Sequence, residues 1–356
     1  MEAASISPKE GNATGRGAVT DLLSRYGLIA LLVAFPLTYA VIDISQGKGL
    51  APIANNLVTG ISNGAIWALI ALGYTLVYGI IELINFAHGD IFMIGSLAAF
   101  GLYGTFGLTE TTGVLGLIIG LFVALIASML VSGSLGVMIE RVAYRPLRNA
   151  PKLAPLITAV GVSFILQNVG ILWIGSSQKG IPDLIQAQRE IVEILGVSIT
   201  RADVLALVVT APLVFLLTAF VNRSRLGKAM RATAQDPEAA RLMGINVDTT
   251  ISLTFLLGGL LAGAAGLIYA VYQTQVWYFQ GFTAGLIAFT AAVMGGIGNL
   301  RGAVIGGFII GVVQAISDNR EPFGNTWTPA VVFAFLVIVM VFRPQGLIGE
   351  ETREAG

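Results

Sequence analysis

Apolar residues occur along this chain in long runs that short polar and charged stretches interrupt. A helix that crosses a bilayer needs about 20 mostly apolar residues, and windows of about that length identify ten candidate segments. These segments are 26–42, 57–79, 91–106, 113–136, 154–174, 203–222, 250–272, 284–298, 303–317 and 328–342. The pattern predicts an all-α, polytopic transmembrane helical bundle of about 8–10 spans, some of them short or broken.

Three of the ten segments are short for a helix that spans a membrane: 91–106, 284–298 and 303–317. Helices that stop inside the bilayer are tolerated only where protein or a water-filled cavity satisfies their backbone groups. The stretch GGIGNLRGAVIGG at 295–307 resembles a break between two short helices more than one continuous span. We therefore expect re-entrant or half-length helices in this part of the chain.

The composition agrees with the hydrophobic pattern and excludes several other classes. Hydrophobic residues make up 55% of the 356 residues and charged residues 11%, against about 25% charged in ordinary soluble domains. Twenty basic and twenty acidic residues cancel, so no nucleic-acid partner is implied. One His and no Cys exclude disulfides, cysteine nucleophiles and most zinc sites, and we predict no metal and no cofactor.

The positions of Lys and Arg predict how the chain is oriented. Nine of the twenty cations lie in the connections after 113–136 and after 203–222, at Arg141, Arg145, Arg148, Lys152, Arg223, Arg225, Lys228, Arg231 and Arg241. Successive spans cross the membrane in alternating directions, and this alternation places fifteen of the twenty Lys and Arg residues on one side. Cytoplasmic loops are the ones enriched in Lys and Arg. This predicts a multi-pass protein of the inner (cytoplasmic) membrane with both termini in the cytoplasm.

The same reading divides the chain into three parts. We expect a cytoplasmic amino-terminal extension at 1–25, a transmembrane domain at 26–349, and a cytoplasmic tail at 350–356. Within the domain, 223–249 is a cytoplasmic loop and 176–202 an outer loop. Apolar residues between charges in the outer loop predict a short helix on the outer surface; they are Ile185, Ile191, Val192 and Leu195.

Many of the 44 glycines stand four residues apart within apolar segments. Small residues at this spacing let helix backbones approach closely in a membrane. The candidates for helix packing are Gly259, Gly263, Gly298, Gly302 and Gly306. Packing within one bundle is one interpretation; a subunit interface or a path that opens and closes is the other.

The loop 223–249 contains signals for a short helix at 237–243. Asp236 is a favourable N-cap, Pro237 suits the first helical position, and Gly244 suits the residue after the helix. A helix of this length, about 10 Å, is too short to be stable alone in water. We expect it to dock on a surface, which is either the underside of its own bundle or a groove in a partner.

The apolar positions of this helix fall on one face, at Ala239, Leu242 and Met243. The surrounding sequence DPEAARLMG resembles the "EAA" coupling loop of ABC importer permeases, in which a short helix inserts into a cleft of the ATPase subunit. The Leu-Pro that ends the longer form of that motif is absent after Gly244. The resemblance implies an ATPase-coupling role for Asp236, Pro237, Glu238, Ala239, Ala240, Leu242, Met243 and Gly244.

Three further stretches resemble the branched-chain amino acid permeases of ABC importers, LivH type. They are GISNGAIWALIALGYTLVYGIIELINFAHGDIFMIGS at 60–96, GGIGNLRGAVIGG at 295–307 and RPQGLIG at 343–349. The resemblance covers residues 53–349. Two features depart from the family pattern: the segment that precedes it, and Arg301, where the family more often has a small or apolar residue or Pro.

The resemblance implies a permease subunit of an ATP-driven importer that translocates branched-chain or related amino acids. The implied partners are a related second permease subunit, two ABC ATPase subunits, and an external, periplasmic substrate-binding protein that delivers the amino acid. The chain itself contains no GxxxxGK[ST] phosphate-binding loop. We therefore predict a transport subunit that is not an enzyme, with ATP hydrolysis in the partners.

Several polar residues lie inside apolar segments or at their ends, where each needs a hydrogen-bond partner. Ionisable residues in such places are candidates for function, and interhelical packing is the ordinary alternative. The candidates for a path or a gate are Asn63, Glu82, Asn85, His88, Asp90, Gln167 and Asn168.

Other functions remain open from the sequence. One is a permease for urea, amides or other small polar solutes in the same family, and another is a self-sufficient secondary carrier. An intramembrane enzyme would have to rely on Ser62 and His88. The stretch Gly60–Gly64 fits the G-x-S-x-G pattern of hydrolases, but that motif requires a strand before the serine, and an apolar helix is predicted here.

Overall fold

The computed structural model describes residues 15–109, 112–148, 150–151 and 153–349. The predicted cytoplasmic tail at 350–356 and the first fourteen residues of the predicted extension lie outside the described residues. Helix α1 begins at Gly15 and runs through the apolar segment that starts at Tyr26.

The described chain is almost entirely helical. Its helices are α1 (Gly15–Ser45), α2 (Ala51–Ile81), α3 (His88–Thr105), α4 (Val114–Ile139), α5 (Leu153–Ile174), α6 (Arg201–Arg223), α7 (Arg225–Gln235), α8 (Pro237–Leu242), α9 (Val247–Gln273), α10 (Gln280–Gly295), α11 (Leu300–Asp318) and α12 (Gly324–Phe342). A π-helical turn at Glu140–Tyr144 and a 3₁₀ turn at Arg145–Leu147 continue α4. The prediction of an all-α polytopic bundle is confirmed.

Seven helices of the described chain are long and apolar enough to cross a membrane. They are α2, α4 with its two following turns, α5, α6, α9, α11 and α12. Helix α10 and residues 29–45 of α1 are shorter apolar helices. The expectation that 303–317 is too short to span was wrong, because α11 extends over 19 residues.

The predicted break near residue 296 is present. Helix α10 ends at Gly295, and Gly296 and Gly298 have φ of 108° and 93°, a backbone region that glycine adopts without steric cost. Asn299 then caps α11 by accepting hydrogen bonds from the backbone N–H groups of Arg301 and Gly302. Gly298 therefore belongs to the turn, which corrects its assignment as a helix-packing residue.

The segment 176–202, predicted as an outer loop, contains strands where a helix was expected. Strand β2 (Glu190–Ile194) pairs antiparallel with β3 (Val197–Thr200), while β1 (Lys179–Gly180) pairs with β4 (Gln275–Val276). Leu195 and Gly196 both have positive φ, as the two central residues of a type I′ hairpin turn require. The neighbouring β-branched residues favour strands over a short helix.

The centre of the bundle is formed by α2 and α9, and glycines bring their neighbours into backbone contact. A Cβ atom on Gly263 would lie 2.3 Å from the carbonyl oxygen of Ser128 in α4, and one on Gly259 would lie 2.5 Å from that of Ser132. A Cβ on Gly306 would lie 2.0 Å from the carbonyl oxygen of Ala291 in α10. Gly302 makes the corresponding contact with Gly295. These glycines pack helices within this one chain.

Helix α1 lies against the α11 and α12 side of the bundle. The rings of Phe35 and Phe335 meet edge to face at 5.4 Å between centroids. Arg320, which follows α11, forms two hydrogen bonds of 2.6 Å with the carboxylate of Asp43, and the Asp43 side chain is fully buried. The paired charges hold the carboxyl end of α1 to the bundle.

Helix α3 begins inside the bundle and not at its end. Its first residue, His88, packs against Gly73, where a Cβ would lie 2.2 Å from the imidazole Nε2. Gly73 lies about 12 Å before the end of α2 at 1.5 Å per residue. The non-helical residues 82–87 therefore lead back into the bundle, which agrees with the expectation of a half-length helix in this region.

Candidate functional site

Two parts of the structure gather the residues that the sequence singled out. One is the end of the bundle that carries α8, and the other is a buried polar cluster around the start of α3. The first is built from short-range capping interactions, and the second from side chains that are distant in sequence.

Helix α8 is capped at both ends as its sequence predicts. The Asp236 carboxylate accepts hydrogen bonds of 2.9 Å from the backbone N–H groups of Glu238 and Ala239. At the other end, the backbone N–H of Ile245 donates to the carbonyl of Ala240 at 3.0 Å, and Gly244 has φ of 83°. This is the geometry that glycine favours just after a helix.

The apolar face of α8 points away from the rest of the chain. Leu242 is 89% exposed and Met243 83% exposed, and Ala239 is exposed as well. Only Ala240 is buried. We refer to α8 with Met243 as the exposed knob. An apolar surface of this kind at the tip of a short helix is typical of a docking site.

The exposed knob is joined to the centre of the bundle by a short, hydrogen-bonded turn. The Asn246 side chain accepts a hydrogen bond of 3.0 Å from the backbone N–H of Thr249 and so caps α9. Helix α9 then contacts α2, α3 and α4 through glycines; a Cβ on Gly266 would lie 2.6 Å from the carbonyl oxygen of Phe92 in α3. This turn therefore joins α8 directly to a tightly packed central helix.

A charged network beside this turn was missed by the sequence analysis. The fully buried carboxylate of Glu140 accepts a hydrogen bond of 2.6 Å from Ser252 in α9 and one of 3.2 Å from Arg145. Arg148 pairs with both Glu140 and Asp248. Glu140 is followed by several arginines at helical spacing, a signal that was assigned only to membrane orientation.

The buried polar cluster begins in the non-helical segment before α3. The Asn85 side-chain oxygen accepts hydrogen bonds from the backbone N–H of Ala87 at 3.1 Å and from the Tyr144 hydroxyl at 3.2 Å. The His88 ring lies edge-on to the Tyr74 ring at 4.8 Å between centroids. The bond to Ala87 satisfies one backbone N–H of the non-helical segment, a group that needs a partner inside a membrane.

Asp90 connects this cluster to α5. Its Oδ2 accepts a hydrogen bond from the Ser163 hydroxyl, which in turn accepts one of 3.2 Å from the Gln167 amide. All three side chains are at least nine-tenths buried. A cavity of about 60 Å³ adjoins Ser163 and is otherwise walled mainly by aromatic and aliphatic side chains, including Tyr74 and Phe282.

The structure leaves other candidates outside this cluster. Glu82 is exposed and ends α2 with φ of 51°, and Asn168 is exposed on the opposite face of α5, where its amide donates to Phe164. Asn63 is buried in α2, about 15 Å along the helix from the residue that contacts His88.

Ser62 and His88, the pair that an intramembrane enzyme would need, do not lie together in the structure. Ser62 lies about 16 Å along α2 from Gly73, which contacts His88. The Ser62 hydroxyl donates to the carbonyl of Val58 at 3.1 Å. The two side chains are therefore too far apart for proton transfer between them.

An apolar bundle with seven candidate spans, a helix that starts inside the bundle and a short exposed helix at one end defines a polytopic membrane protein. Comparison with known families agrees with this class. The chain belongs to the family described as branched-chain amino acid transport system / permease component, whose model matches residues 56–341. Helix α1 lies outside the matched residues.

Similar proteins extend the comparison. The chain is 43% identical over 298 residues to the high-affinity branched-chain amino acid transport system permease protein BraD of Pseudomonas aeruginosa, covering 82% of this chain and 94% of that protein. It is 40% identical over 298 residues to LivH of Escherichia coli K12, with the same coverage. A weaker similarity, 30% over 170 residues, covers 45% of this chain and 47% of the fructose import permease protein FrcC of Rhizobium meliloti.

Proposed function

We propose that this chain is the membrane-spanning permease subunit of an ATP-driven ABC importer for branched-chain or related amino acids. The observation that carries the proposal is the exposed knob, whose apolar side chains Leu242 and Met243 lie outside their own bundle. The similarity to BraD and LivH over most of the chain supports the substrate class.

The coupling mechanism follows from how α8 is attached. Partner ATPases bind the exposed knob, and their closure on ATP displaces it. Because only four residues separate α8 from α9, and α9 packs by backbone contact on α2, α3 and α4, the displacement shifts the centre of the bundle. The bundle then alternates between an outward and an inward opening.

The end of the bundle with the exposed knob is the cytoplasmic end in this proposal. Arg145 and Arg148 pair with groups at that end, and the connections there are the ones rich in Lys and Arg. Enrichment of cations in cytoplasmic loops supports this orientation in an inner membrane, with both termini inside.

The buried polar cluster is the proposed path or gate. Ser163 lines the aromatic-walled cavity, and its hydrogen bonds connect the cavity wall to the buried side chains of Asp90 and Gln167. An amino acid has an ammonium group and, in the branched-chain series, an aliphatic side chain. The cluster offers an acceptor for the first and an apolar surface for the second.

The remaining assembly is a related second permease subunit, two ABC ATPase subunits and an external substrate-binding protein. These partners supply ATP hydrolysis and substrate delivery, and this chain supplies the passage. The absence of a phosphate-binding loop from its sequence supports this division of labour.

Uptake in liposomes tests the proposal. Liposomes that contain the whole assembly should accumulate labelled leucine when ATP and the external protein are present, whereas liposomes with this chain alone should not. An assembly whose ATPases bind but do not hydrolyse ATP is the matched control. Accumulation of leucine by this chain alone would establish a self-sufficient carrier, and ATP-driven uptake of urea or an amide without leucine would establish a different substrate class.

A further inference from the structure

A second and larger cavity, of about 560 Å³, lies at the end of the bundle that carries the exposed knob. Its walls are formed by the ends of α2 and α6, by α7, and by the turn between α10 and α11. It shares none of its lining residues with the aromatic-walled cavity near Asp90. We refer to it as the basal cavity.

The charged groups of the basal cavity are of one sign. Arg231 and Arg301 line it, and no Asp or Glu is among its described lining residues. The Arg231 guanidinium donates a hydrogen bond to the carbonyl of Val221, which holds it at the wall. Within the described part of the chain, neither arginine pairs with a carboxylate. Two such cations around one cavity favour an anionic ligand.

A buried hydroxyl provides a second and independent indication of a ligand. Thr75 lines the basal cavity and is 1% exposed, and its hydroxyl oxygen has no hydrogen-bond partner among the described residues. Buried hydroxyl groups without a partner are uncommon, because each loses its hydrogen bonds to water. The amino end of α11 also opens on this cavity through Asn299 and adds a positive helix end.

The remaining walls show which kind of anion fits. Leu76, Val221 and Met230 are buried apolar residues of the wall. A zwitterionic amino acid would need a carboxylate to receive its ammonium group, and this wall supplies none. Directly before the α6 residues of the wall, Phe215 and Leu216 are 69% and 61% exposed, so that the cavity adjoins an apolar outer surface.

We propose that the basal cavity binds the phosphate headgroup of an anionic phospholipid. Arg231 and Arg301 hold the phosphate, a group that guanidinium binds in a bidentate manner, and the apolar wall leads the acyl chains toward the outer face of α6. Basic pockets between membrane helices on the cytoplasmic side are typical sites for such headgroups. The lipid then joins α7 to the turn before α11, next to the exposed knob.

Retention of lipid by the purified full-length chain tests this inference. The protein is exposed to detergent micelles that contain phosphatidylglycerol, washed, and weighed with its bound lipid by native mass spectrometry. Arg301→Gln and Arg231→Gln should each weaken retention about fivefold, the effect of removing one cation near a headgroup. Arg225→Gln makes the same change on an exposed arginine of α7 that does not line the cavity, and it should retain lipid like the parent.

Three further measurements keep the outcome unambiguous. Arg301→Lys keeps the positive charge that Arg301→Gln removes, and it should retain most of the lipid that the parent retains. The thermal midpoint of each variant shows that it is folded. Phosphatidylcholine, with no net charge, should be retained weakly by all variants. Equal loss in Arg225→Gln would overturn the proposal, as would binding of inorganic phosphate that depends on Arg231 and Arg301 without any retained phosphatidylglycerol.

Discussion

At the scale of single residues, the structure separates positions with similar sequence signals. Gln167 and Asn168 are adjacent polar residues in the same apolar segment, and only Gln167 reaches the cluster around Asp90. The sequence indicated both, because a polar residue in an apolar run shows only that a partner is required. Which partner it finds depends on the rotation of α5 against α3, which no local pattern specifies.

This difference yields a matched pair of substitutions in α5. Ser163→Ala removes the hydroxyl that donates to Asp90, and leaving a buried acceptor without its hydrogen-bond donor costs about 1–3 kcal/mol. We expect ATP-driven leucine uptake to fall about tenfold in the assembled importer. Asn168→Ala removes a polar group from the exposed face of the same helix and should leave uptake unchanged. Equal uptake rates in the two variants would show that the buried polar cluster is not part of the translocation path.

Local capping interactions are the residue-scale features that the sequence predicted well. Asp236 and Gly244 end α8 as expected, because a cap depends on neighbours only two to five residues away. The network around Glu140 was missed for the opposite reason, since its partners Ser252 and Asp248 lie in another helix.

At the scale of elements, α8 is the feature whose function is most directly testable. Leu242→Ser with Met243→Ser removes the exposed apolar side chains of the knob without disturbing its caps. Truncating hot-spot residues at the centre of an interface costs about 2 kcal/mol or more, so we expect loss of both side chains to make the ATPases bind at least about 30-fold more weakly. Co-purification of the ATPase subunits from detergent extracts measures this change.

A leucine at the opposite end of the molecule serves as the control for the knob. Leu195 at the tip of the β2–β3 hairpin is 94% exposed, so Leu195→Ser makes the same chemical change at similar exposure. It should leave ATPase retention at the parental level. Retention by the knob variant that equals that of Leu195→Ser would show that the ATPases dock elsewhere.

The β2–β3 hairpin marks the limit of sequence-based prediction for short elements. Four apolar positions between residues 185 and 195 fit a helical face loosely, but two-residue turn geometry at Leu195 and Gly196 favours strands. The hairpin also depends on Asn55 of α2, whose side chain bonds Gly196 and Ser198 at 2.9 Å. Such a distant anchor is invisible in the hairpin sequence itself.

At the scale of the whole molecule, the bundle is held together by close approach of helix backbones. The ten apolar segments were predicted from hydrophobicity alone, since the membrane requires them whatever their packing. The depth at which α3 starts was not predictable in this way, because it depends on contacts of His88 with glycines of α2 and α9.

Two glycine substitutions test this mode of packing. Gly263→Leu would place a Cβ 2.3 Å from the carbonyl oxygen of Ser128, whereas Gly161→Leu in α5 meets no atom within 4 Å. Overpacking costs about 1–3 kcal/mol, occasionally more, so we expect Gly263→Leu to lower the thermal midpoint in detergent and Gly161→Leu to leave it unchanged or raised. A Gly263→Leu protein as stable as its parent would show that α4 and α9 are not in backbone contact.

The attachment of α1 has a consequence for how such a subunit can assemble. With its carboxyl end fixed by the charges of Arg320 and Asp43, α1 occupies one flank of the bundle. On α5, Ile157 and Leu172 are 68% and 87% exposed, so this helix keeps an apolar surface that the described chain does not cover. In the proposed importer, α1 therefore gives the subunit two dissimilar flanks, and a second permease would meet a different surface on each of them.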